Sequence, residues 1–366
     1  MDGDSGSRLP RWDSLDGVRA MAVAFVVATH FGLHATQGQI GVDVFFVLSG
    51  FLITSLLLAE RDRSQRIGLK NFWQRRARRL FPALGCAVAL ALLASLVGAE
   101  SVGHATLAGL PYVLFYVGNW VMALGTTSHG LGFLSHSWSL AVEEQFYLLW
   151  PLVGVLWLCR TPNRRRAAQM VGALAVIGSL YFFVALARWG PPRAIFGTDT
   201  HAMGLLAGSA LSLWVRQHGH VKAIEPRSAR RLGVAGIVAA TFLVIAAFAI
   251  PFDLVIVPAT LAATVLVACL VLSPRGALTA VFSLGIMRWL GRRSYGIYLY
   301  HYPLALLFVA GHALHGFRFA LTTTLCIAAS VLLAAASYRW VETPFLRKNA
   351  GRNSSAPAVQ LAPVVS

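Results

Sequence analysis

The sequence predicts an all-α protein that crosses a membrane about ten times. Hydrophobic residues make up 57% of its 366 residues and charged residues only 12%, whereas about a quarter of a soluble domain is charged. Apolar runs of roughly bilayer length recur from one end of the chain to the other. The predicted spans lie near residues 18–35, 41–59, 80–97, 138–158, 168–187, 203–215, 233–250, 254–272, 295–310 and 319–336.

The positive charge of the chain, +17 at neutral pH, indicates membrane topology rather than nucleic-acid binding. The basic residues lie in the connections between apolar runs and not along one amphipathic face. With ten crossings and both termini cytoplasmic, every Lys and Arg except Arg188, Arg193 and Arg318 lies inside or at the inner boundary. We therefore expect a multi-pass protein with both termini in the cytoplasm.

A further apolar stretch, residues 105–124, is interrupted by Pro111, Gly118 and Asn119. A complete crossing here would place the two termini on opposite sides and distribute the basic loops over both faces. We expect instead a re-entrant or interfacial segment, which is tolerated where the backbone lines a protein cavity.

The membrane domain is expected to span residues 15–345, between disordered cytoplasmic ends at residues 1–14 and 346–366. The start of the chain lacks the apolar core of a signal peptide, so the first span is expected to act as a signal anchor. The cysteines and histidines lack metal-ligand spacing, and neither a metal site nor a disulfide is predicted.

The first two spans carry Arg19, His30 and Asp43, which lipid alone would not tolerate. Arg19 and His30 are eleven residues apart, so they share one helix face and are separated along the axis by roughly 16 Å. Asp43 is expected near the end of the helix pair where His30 lies. A simple polar clamp between helices is one interpretation. The other is a catalytic site in which His30 is a general base oriented by Asp43 or a glutamate.

A basic cluster opens the third span and contains three candidate phosphate ligands, Arg75, Arg76 and Arg79. Arginines bind phosphate in a bidentate manner, so this cluster could hold the phosphates of an acyl carrier. It could equally anchor the topology or attract anionic lipid.

The fourth span begins with aromatic and acidic residues, at Trp138, Glu143, Glu144 and Tyr147. Adjacent residues on a helix point about 100° apart, so the two glutamates cannot share one direction and at least one is expected to face a polar interior. They could instead accept hydrogen bonds from other helices. Trp138 and Tyr147 are expected either in an interfacial belt or on a sugar-stacking surface.

A late span carries Tyr295, Tyr298 and Tyr302 at helical spacing, with His301 beside them. Such a stripe could line a tunnel or simply pack against another helix. The segment 339–345 ends the last span, with Pro344 expected to stop the helix, and is assigned to structure.

Taken in order, these segments resemble acyltransferase family 3, a group of bacterial integral-membrane O-acyltransferases. The resemblance covers about residues 15–345. It rests on six motifs: LDGVRA with Arg-x10-His at 15–30, GVDVFFVLSGFLIT at 41–54, Arg-x-x-Arg before LFP, WSLAVEEQFY at 138–147, SYGIYLYHYPL at 294–304 and VETPF at 341–345.

The resemblance implies a ten-helix enzyme of the bacterial cytoplasmic membrane that moves an acyl group, usually acetyl from acetyl-CoA, to a hydroxyl. The family's functional residues fall here on Arg19, His30, Asp43, Ser49, Arg76, Arg79 and either Glu143 or Glu144. Some relatives continue into an esterase-like SGNH domain. Only a short tail follows residue 345 here, so we expect a stand-alone enzyme or one that uses a separate extracytoplasmic partner.

The predicted function is therefore an O-acyltransferase with acyl-CoA as co-substrate, no metal, and a sugar, glycan or glycosylated metabolite as acceptor. Ser49, Trp138, Tyr147, Tyr298 and His301 are the candidate substrate-pocket residues. The alternative is a glycan transporter or flippase, because ten helices with buried charge also describe carriers. The sequence shows no inverted repeat, and a purely structural scaffold would not require His30 and Asp43 to be buried together.

Overall fold

The computed structural model describes residues 12–33, 38–127, 129–158, 161, 163–217, 226–310 and 312–347. Within these ranges the protein is built from helices and contains no β-strand. The predicted fold class, an all-α polytopic membrane protein, is confirmed. The predicted disordered ends lie almost entirely outside the described residues, so the limits of the membrane domain stay a prediction.

The helices vary in length from 4 to 29 residues. In chain order they are α1 (Asp13–His30), α2 (Ile40–Ser64), α3 (Leu69–Val97), α4 (Glu100–Leu114), α5 (Gly118–Ala123), α6 (Trp138–Val153), α7 (Arg164–Trp189), α8 (Pro191–Phe196), α9 (Thr198–His201), α10 (Met203–Gln217), α11 (Pro226–Ala249), α12 (Phe252–Leu272), α13 (Ala277–Phe282), α14 (Gly285–Gly291), α15 (Ser294–Phe308), α16 (Gly316–Ser337) and α17 (Thr343–Arg347). A 3₁₀ turn at Gly132–Ser137 leads into α6, and π-helical turns follow α6 and α16.

Six segments among the described residues are long and apolar enough to cross a bilayer. They are Ile40–Ser64, Leu69–Val97, Arg164–Trp189, Arg227–Ala249, Leu254–Leu272 and Gly316–Phe345. Four other predicted spans correspond to α1, α6, α10 and α15, which have 18, 16, 15 and 15 residues. Three of these are short, and α1 begins with several charged residues. The total of ten crossings therefore stays a prediction.

The apolar stretch at residues 105–124 is divided into two pieces. α4 has 15 residues and α5 has 6, and Tyr116 between them adopts a φ of +54°. The stretch is therefore not one continuous spanning helix. Its depth in the bilayer stays a prediction.

α2 is the central helix, and 72% of its most apolar window is buried. It packs closely against α10 because small residues face each other. A Cβ on Gly50 would lie 1.9 Å from the backbone oxygen of Leu205, and one on Gly208 would lie 2.0 Å from that of Val47. Such close approach through small residues is typical of helix pairs in membranes. Hydroxyl hydrogen bonds between the helices, Thr54 to Ser209 at 2.9 Å and Ser55 to Ser212 at 2.8 Å, add polar contacts.

Ion pairs connect the helices at their charged ends. Asp62, near the end of α2, binds Arg164 at the start of α7 and Arg216 near the end of α10. The end of α2, the start of α7 and the end of α10 therefore lie at one end of the bundle. At the start of α1, Asp13 binds Arg288 at 2.8 Å and Asp16 binds Arg292 at 3.3 Å. These contacts hold α14, and with it the start of α15, against α1.

Candidate active site

Helices α1, α2, α3, α6 and α15 enclose a cavity of about 70 Å³. One buried water needs about 10–15 Å³, so the cavity has room for several. Its polar wall consists of Arg19, Ser49, Arg76, Arg79, Ser139, Glu143, Tyr147, Ser294, Tyr295 and Tyr298. We call this cavity the arginine pocket. Its wall contains three arginines and one carboxylate, Glu143, and two further carboxylates pair with Arg19 and Arg76 from outside the wall.

Arg76 is held in place from two sides. Its guanidinium lies over the ring of Tyr147, 3.7 Å from the ring centre, and its Nη2 atom is 3.6 Å from Oε1 of Glu144. Arg79, almost one turn further along α3, also lines the pocket but forms no ion pair with any carboxylate in the described ranges. Arg19 enters the pocket from α1 and pairs with Asp16 at 3.2 Å.

The two adjacent glutamates have different surroundings, as their 100° separation predicts. Glu143 lines the pocket and accepts hydrogen bonds from the Ser49 hydroxyl of α2 and the Tyr147 hydroxyl of its own helix. Glu144 lies outside the pocket wall and binds Arg76. Glu143 therefore joins α2 to α6, and Glu144 orients an arginine.

A second polar cluster lies at the other end of α1, roughly 16 Å along the axis from Arg19. It contains the imidazoles of His30, His136 and His301, and we call it the histidine cluster. His30 Nδ1 is 3.0 Å from His301 Nε2, and the rings of His136 and His301 have centres 5.7 Å apart. His136 and His301 are buried, whereas His30 is partly exposed. Tyr302 contacts the rings of both His30 and His136, with centres 4.9 Å apart in each case.

Tyr298 connects the two clusters. It lines the arginine pocket, and its hydroxyl lies 2.6 Å from both the Ser139 hydroxyl and the His136 carbonyl oxygen. Its ring centre is 5.4 Å from that of His136 and 5.7 Å from that of His301. The tyrosine stripe of α15 thus follows the predicted spacing, with Tyr295 and Tyr298 at the pocket and Tyr302 at the histidines.

Asp43 does not have the expected partner. Its Oδ1 atom is 2.9 Å from Nε2 of His201, and within the described ranges no carboxylate hydrogen-bonds to His30. The prediction that Asp43 or a glutamate orients His30 is therefore wrong. Helical spacing set the level of Asp43, but the packing of α2 against α10 turned its side chain towards α9.

Two further site predictions differ from the structure. Arg75 pairs with Glu60 at 3.2 Å, is exposed and does not line the arginine pocket. Trp138 is only 6% exposed and packs against Phe196 and His201, so it is neither an interfacial anchor nor part of the pocket wall. Tyr147 is also buried, beneath Arg76, and is not in a belt.

His136 and His201 were not among the predicted site residues. His136 lies two residues before Trp138, so its place beside that motif was a usable signal. His201 lies in α9, a helix of four residues, and no pattern in the sequence linked it to Asp43. Among the described residues no group of three or more His, Cys, Asp or Glu could hold a metal ion.

Comparisons with known proteins agree on one family. The sequence model of the acyltransferase domain (Acyl_transf_3) matches residues 12–339. The peptidoglycan O-acetyltransferase OatA of Listeria monocytogenes is 33% identical, over 92% of this chain and 56% of that protein. A putative peptidoglycan O-acetyltransferase of Bacillus subtilis, YrhL, is 33% identical over 90% of this chain and 54% of its own length.

The O-acetyltransferase OatA of Staphylococcus aureus is 32% identical, over 93% of this chain and 58% of that protein. The chain thus spans a little over half the length of the curated relatives it matches. No solved structure matches the chain.

Proposed function

Since the chain belongs to acyltransferase family 3, we propose that it transfers an acetyl group from acetyl-CoA to a hydroxyl of a cell-surface glycan. The observation that carries this proposal is the position of two polar clusters at opposite ends of α1, an arginine pocket and a histidine cluster, joined by Tyr298. The arginine pocket suits an anionic donor, and the histidine cluster suits proton transfer.

The arginine pocket has the chemistry needed to bind the phosphates of acyl-CoA. Of its three arginines, Arg19 pairs with Asp16 and Arg76 with Glu144, whereas Arg79 forms no ion pair with a carboxylate among the described residues. Positive charge in a partly dehydrated cavity is unfavourable unless an anion compensates it. Arginine forms bidentate, charge-assisted hydrogen bonds with phosphate. We therefore assign Arg76 and Arg79 to the donor phosphates and Arg19 to the pocket wall beside them.

The histidine cluster supplies the base. His30 is the only one of the three imidazoles that is partly exposed, so an acceptor can reach it from the end of α1 opposite the arginine pocket. His136 and His301 are buried and contact each other and His30 or its neighbours from the protein side. A neutral imidazole is a suitable general base for a hydroxyl, and such a base accelerates a reaction by about 100-fold to 10,000-fold.

In the proposed reaction the flexible pantetheine arm of the donor extends along Tyr298 and brings the thioester towards His30. Nε2 of His30 takes the proton of the acceptor hydroxyl while the hydroxyl oxygen attacks the thioester carbonyl carbon. The carbon–sulfur bond breaks and a carbon–oxygen ester bond forms. The proton then passes to the thiolate, which leaves as free CoA. This scheme places the arginine pocket on the cytoplasmic side, where acyl-CoA is available, and His30 towards the outer side.

The relatives suggest the class of acceptor. Two of them are named as peptidoglycan O-acetyltransferases, so a muramyl glycan is the first acceptor to test. The proposal includes a separate extracytoplasmic partner that completes transfer to the polymer. We place the protein in a bacterial cytoplasmic membrane.

The test uses the protein purified into lipid nanodiscs and acetyl-CoA labelled in the acetyl group. Soluble peptidoglycan fragments and simple sugars are offered as acceptors, and the products are identified by mass spectrometry. The proposal predicts label in an O-acetyl ester and an equal release of free CoA. A glycan carrier would leave acetyl-CoA intact but would move glycan across vesicles, and that result would contradict the proposal.

A further inference from the structure

The hydrogen bonds of His301 determine which of its ring nitrogens carries a proton. His301 Nδ1 lies 2.7 Å from the carbonyl oxygen of Tyr298 and 3.1 Å from that of Ile297. A carbonyl oxygen can only accept, so Nδ1 must be the donor. The ring is fully buried, and burial disfavours a charged imidazole. A neutral ring with its proton on Nδ1 presents Nε2 as an acceptor.

The same reasoning applies to His30. Its Nδ1 lies 3.0 Å from the carbonyl oxygen of Val26 and 3.0 Å from Nε2 of His301. Both neighbours are acceptors, so Nδ1 of His30 carries the proton and is shared between them. The neutral ring then has its lone pair on Nε2.

We propose that His301 is a positioning residue that holds His30 in the tautomer with an unprotonated Nε2. His301 accepts from His30 Nδ1–H, as the carboxylate accepts from the histidine of a serine-hydrolase triad. Here the acceptor is a second imidazole, and its own proton is held by the α15 backbone. This inference rests on the proposed function, in which Nε2 of His30 is the base.

The surroundings of the pair support this role. The polar side chains against the two rings are His136, Tyr298 and Tyr302, and no Asp or Glu in the described ranges hydrogen-bonds to either ring. Without His301, Nδ1 of His30 could donate only to the carbonyl oxygen of Val26. That oxygen is also part of the α1 backbone hydrogen-bonding, so this contact alone would allow the His30 ring to turn. The contact with His301 fixes the ring plane as well as the proton.

Two substitutions at residue 301 separate positioning from packing. His301→Gln can bring an amide oxygen to the place of Nε2 and accept from His30, whereas His301→Leu fills the space without an acceptor. His312→Leu, which removes an exposed histidine beyond α15, is the control. In the triad comparison, loss of the correct tautomer lowers kcat by up to about 10,000-fold.

We expect His301→Leu to lower kcat by at least about 100-fold while KM for acetyl-CoA changes less than about twofold. His301→Gln should stay within about tenfold of wild type. A leucine variant with normal kcat, or a glutamine variant as inactive as the leucine variant, would overturn the proposal.

The second readout is the tautomer itself, measured by nitrogen NMR of ¹⁵N-histidine-labelled protein in nanodiscs, with His30→Gln used to assign the signal. The proposal predicts Nδ1–H for His30 in the wild type and a mixture of tautomers in His301→Leu. An Nε2–H signal in the wild type would overturn it even if every variant misfolds. Wild-type protein with no transferase activity would refute the proposed function, and the wild-type spectrum would still test the hydrogen-bond assignment.

Discussion

Asp43 and His201 form a buried pair, with Oδ1 of Asp43 2.9 Å from Nε2 of His201 and each side chain only 1% exposed. Nδ1 of His201 is 2.6 Å from the carbonyl oxygen of Ile195. Both nitrogens of the ring therefore face oxygen atoms. The pair joins α2 to α9, immediately before α10, and so supports the close contact between α2 and α10.

Removal of Asp43 is expected to destabilise the protein. Asp43→Ala leaves His201 buried without its carboxylate, and the loss of one partner of a buried pair costs about 3–5 kcal/mol. Replacement of both groups, Asp43→Leu with His201→Leu, should recover part of that loss because no polar group is then left unsatisfied. Thermal unfolding in detergent measures both. A double variant less stable than Asp43→Ala would show that the pair is not the source of the effect.

Arg79 and Arg75 lie on the same helix and provide a matched comparison. Arg79 lines the pocket without an ion pair to the described carboxylates, whereas Arg75 is exposed and bound to Glu60. Arg79→Ala should raise KM for acetyl-CoA about 10-fold to 100-fold, the effect of one lost hydrogen bond to a charged group. Arg79→Lys should recover only part of it, because lysine lacks the planar fork.

Arg75→Ala is the control and should leave KM unchanged within about twofold, since exposed ion pairs contribute little. Equal effects of Arg75→Ala and Arg79→Ala would argue that the whole basic cluster, rather than the pocket, attracts the donor.

Tyr147 contributes its ring and its hydroxyl separately. The ring supports Arg76 at 3.7 Å, and the hydroxyl binds Glu143. Tyr147→Phe keeps the ring and should change KM for acetyl-CoA less than about threefold, whereas Tyr147→Leu removes the cation–π contact and should raise it about 3-fold to 20-fold. Steady-state kinetics in nanodiscs measures both. If Tyr147→Phe has the higher KM for acetyl-CoA of the two variants, the hydroxyl rather than the ring positions Arg76.

The contact of α2 with α10 has no room for a larger residue. Gly208→Val would place its Cβ 2.0 Å from the Val47 carbonyl oxygen, so the helices must separate. We expect a lower thermal midpoint and a loss of several kcal/mol, in the range of an overpacked core. Gly233→Val, at a glycine with open space around it, is the control. Equal stability of both variants would contradict the close packing.

The helical class could be predicted from the bilayer-length apolar runs and the basic connections between them. Lipid offers no hydrogen bonds to the backbone, so apolar spanning segments of this length form helices. An interruption of residues 105–124 was expected from Pro111, Gly118 and Asn119, but Pro111 lies inside α4 and the break falls just before Gly118. Short helices such as α8 and α9 were missed, because segments of four to six residues have no periodicity to detect.

The site could be predicted only along each helix. The axial separation of Arg19 from His30 depends on one helix and follows from spacing alone. The partners of Asp43 and His30 depend on how different helices are turned towards each other, and tight contacts at Gly50 and Gly208 determine that rotation. Residue spacing within one helix therefore could not identify His201 or His301 as the partners.

His30 tests the account most directly. His30→Ala and wild-type protein are compared in nanodiscs for acetyl transfer, and binding of a non-hydrolysable acetyl-CoA analogue is measured on the same samples. We predict that transfer falls by about 100-fold to 10,000-fold, as expected for loss of a general base, while the analogue binds with unchanged affinity at the distant arginine pocket. Wild-type turnover in His30→Ala would contradict the proposed chemistry.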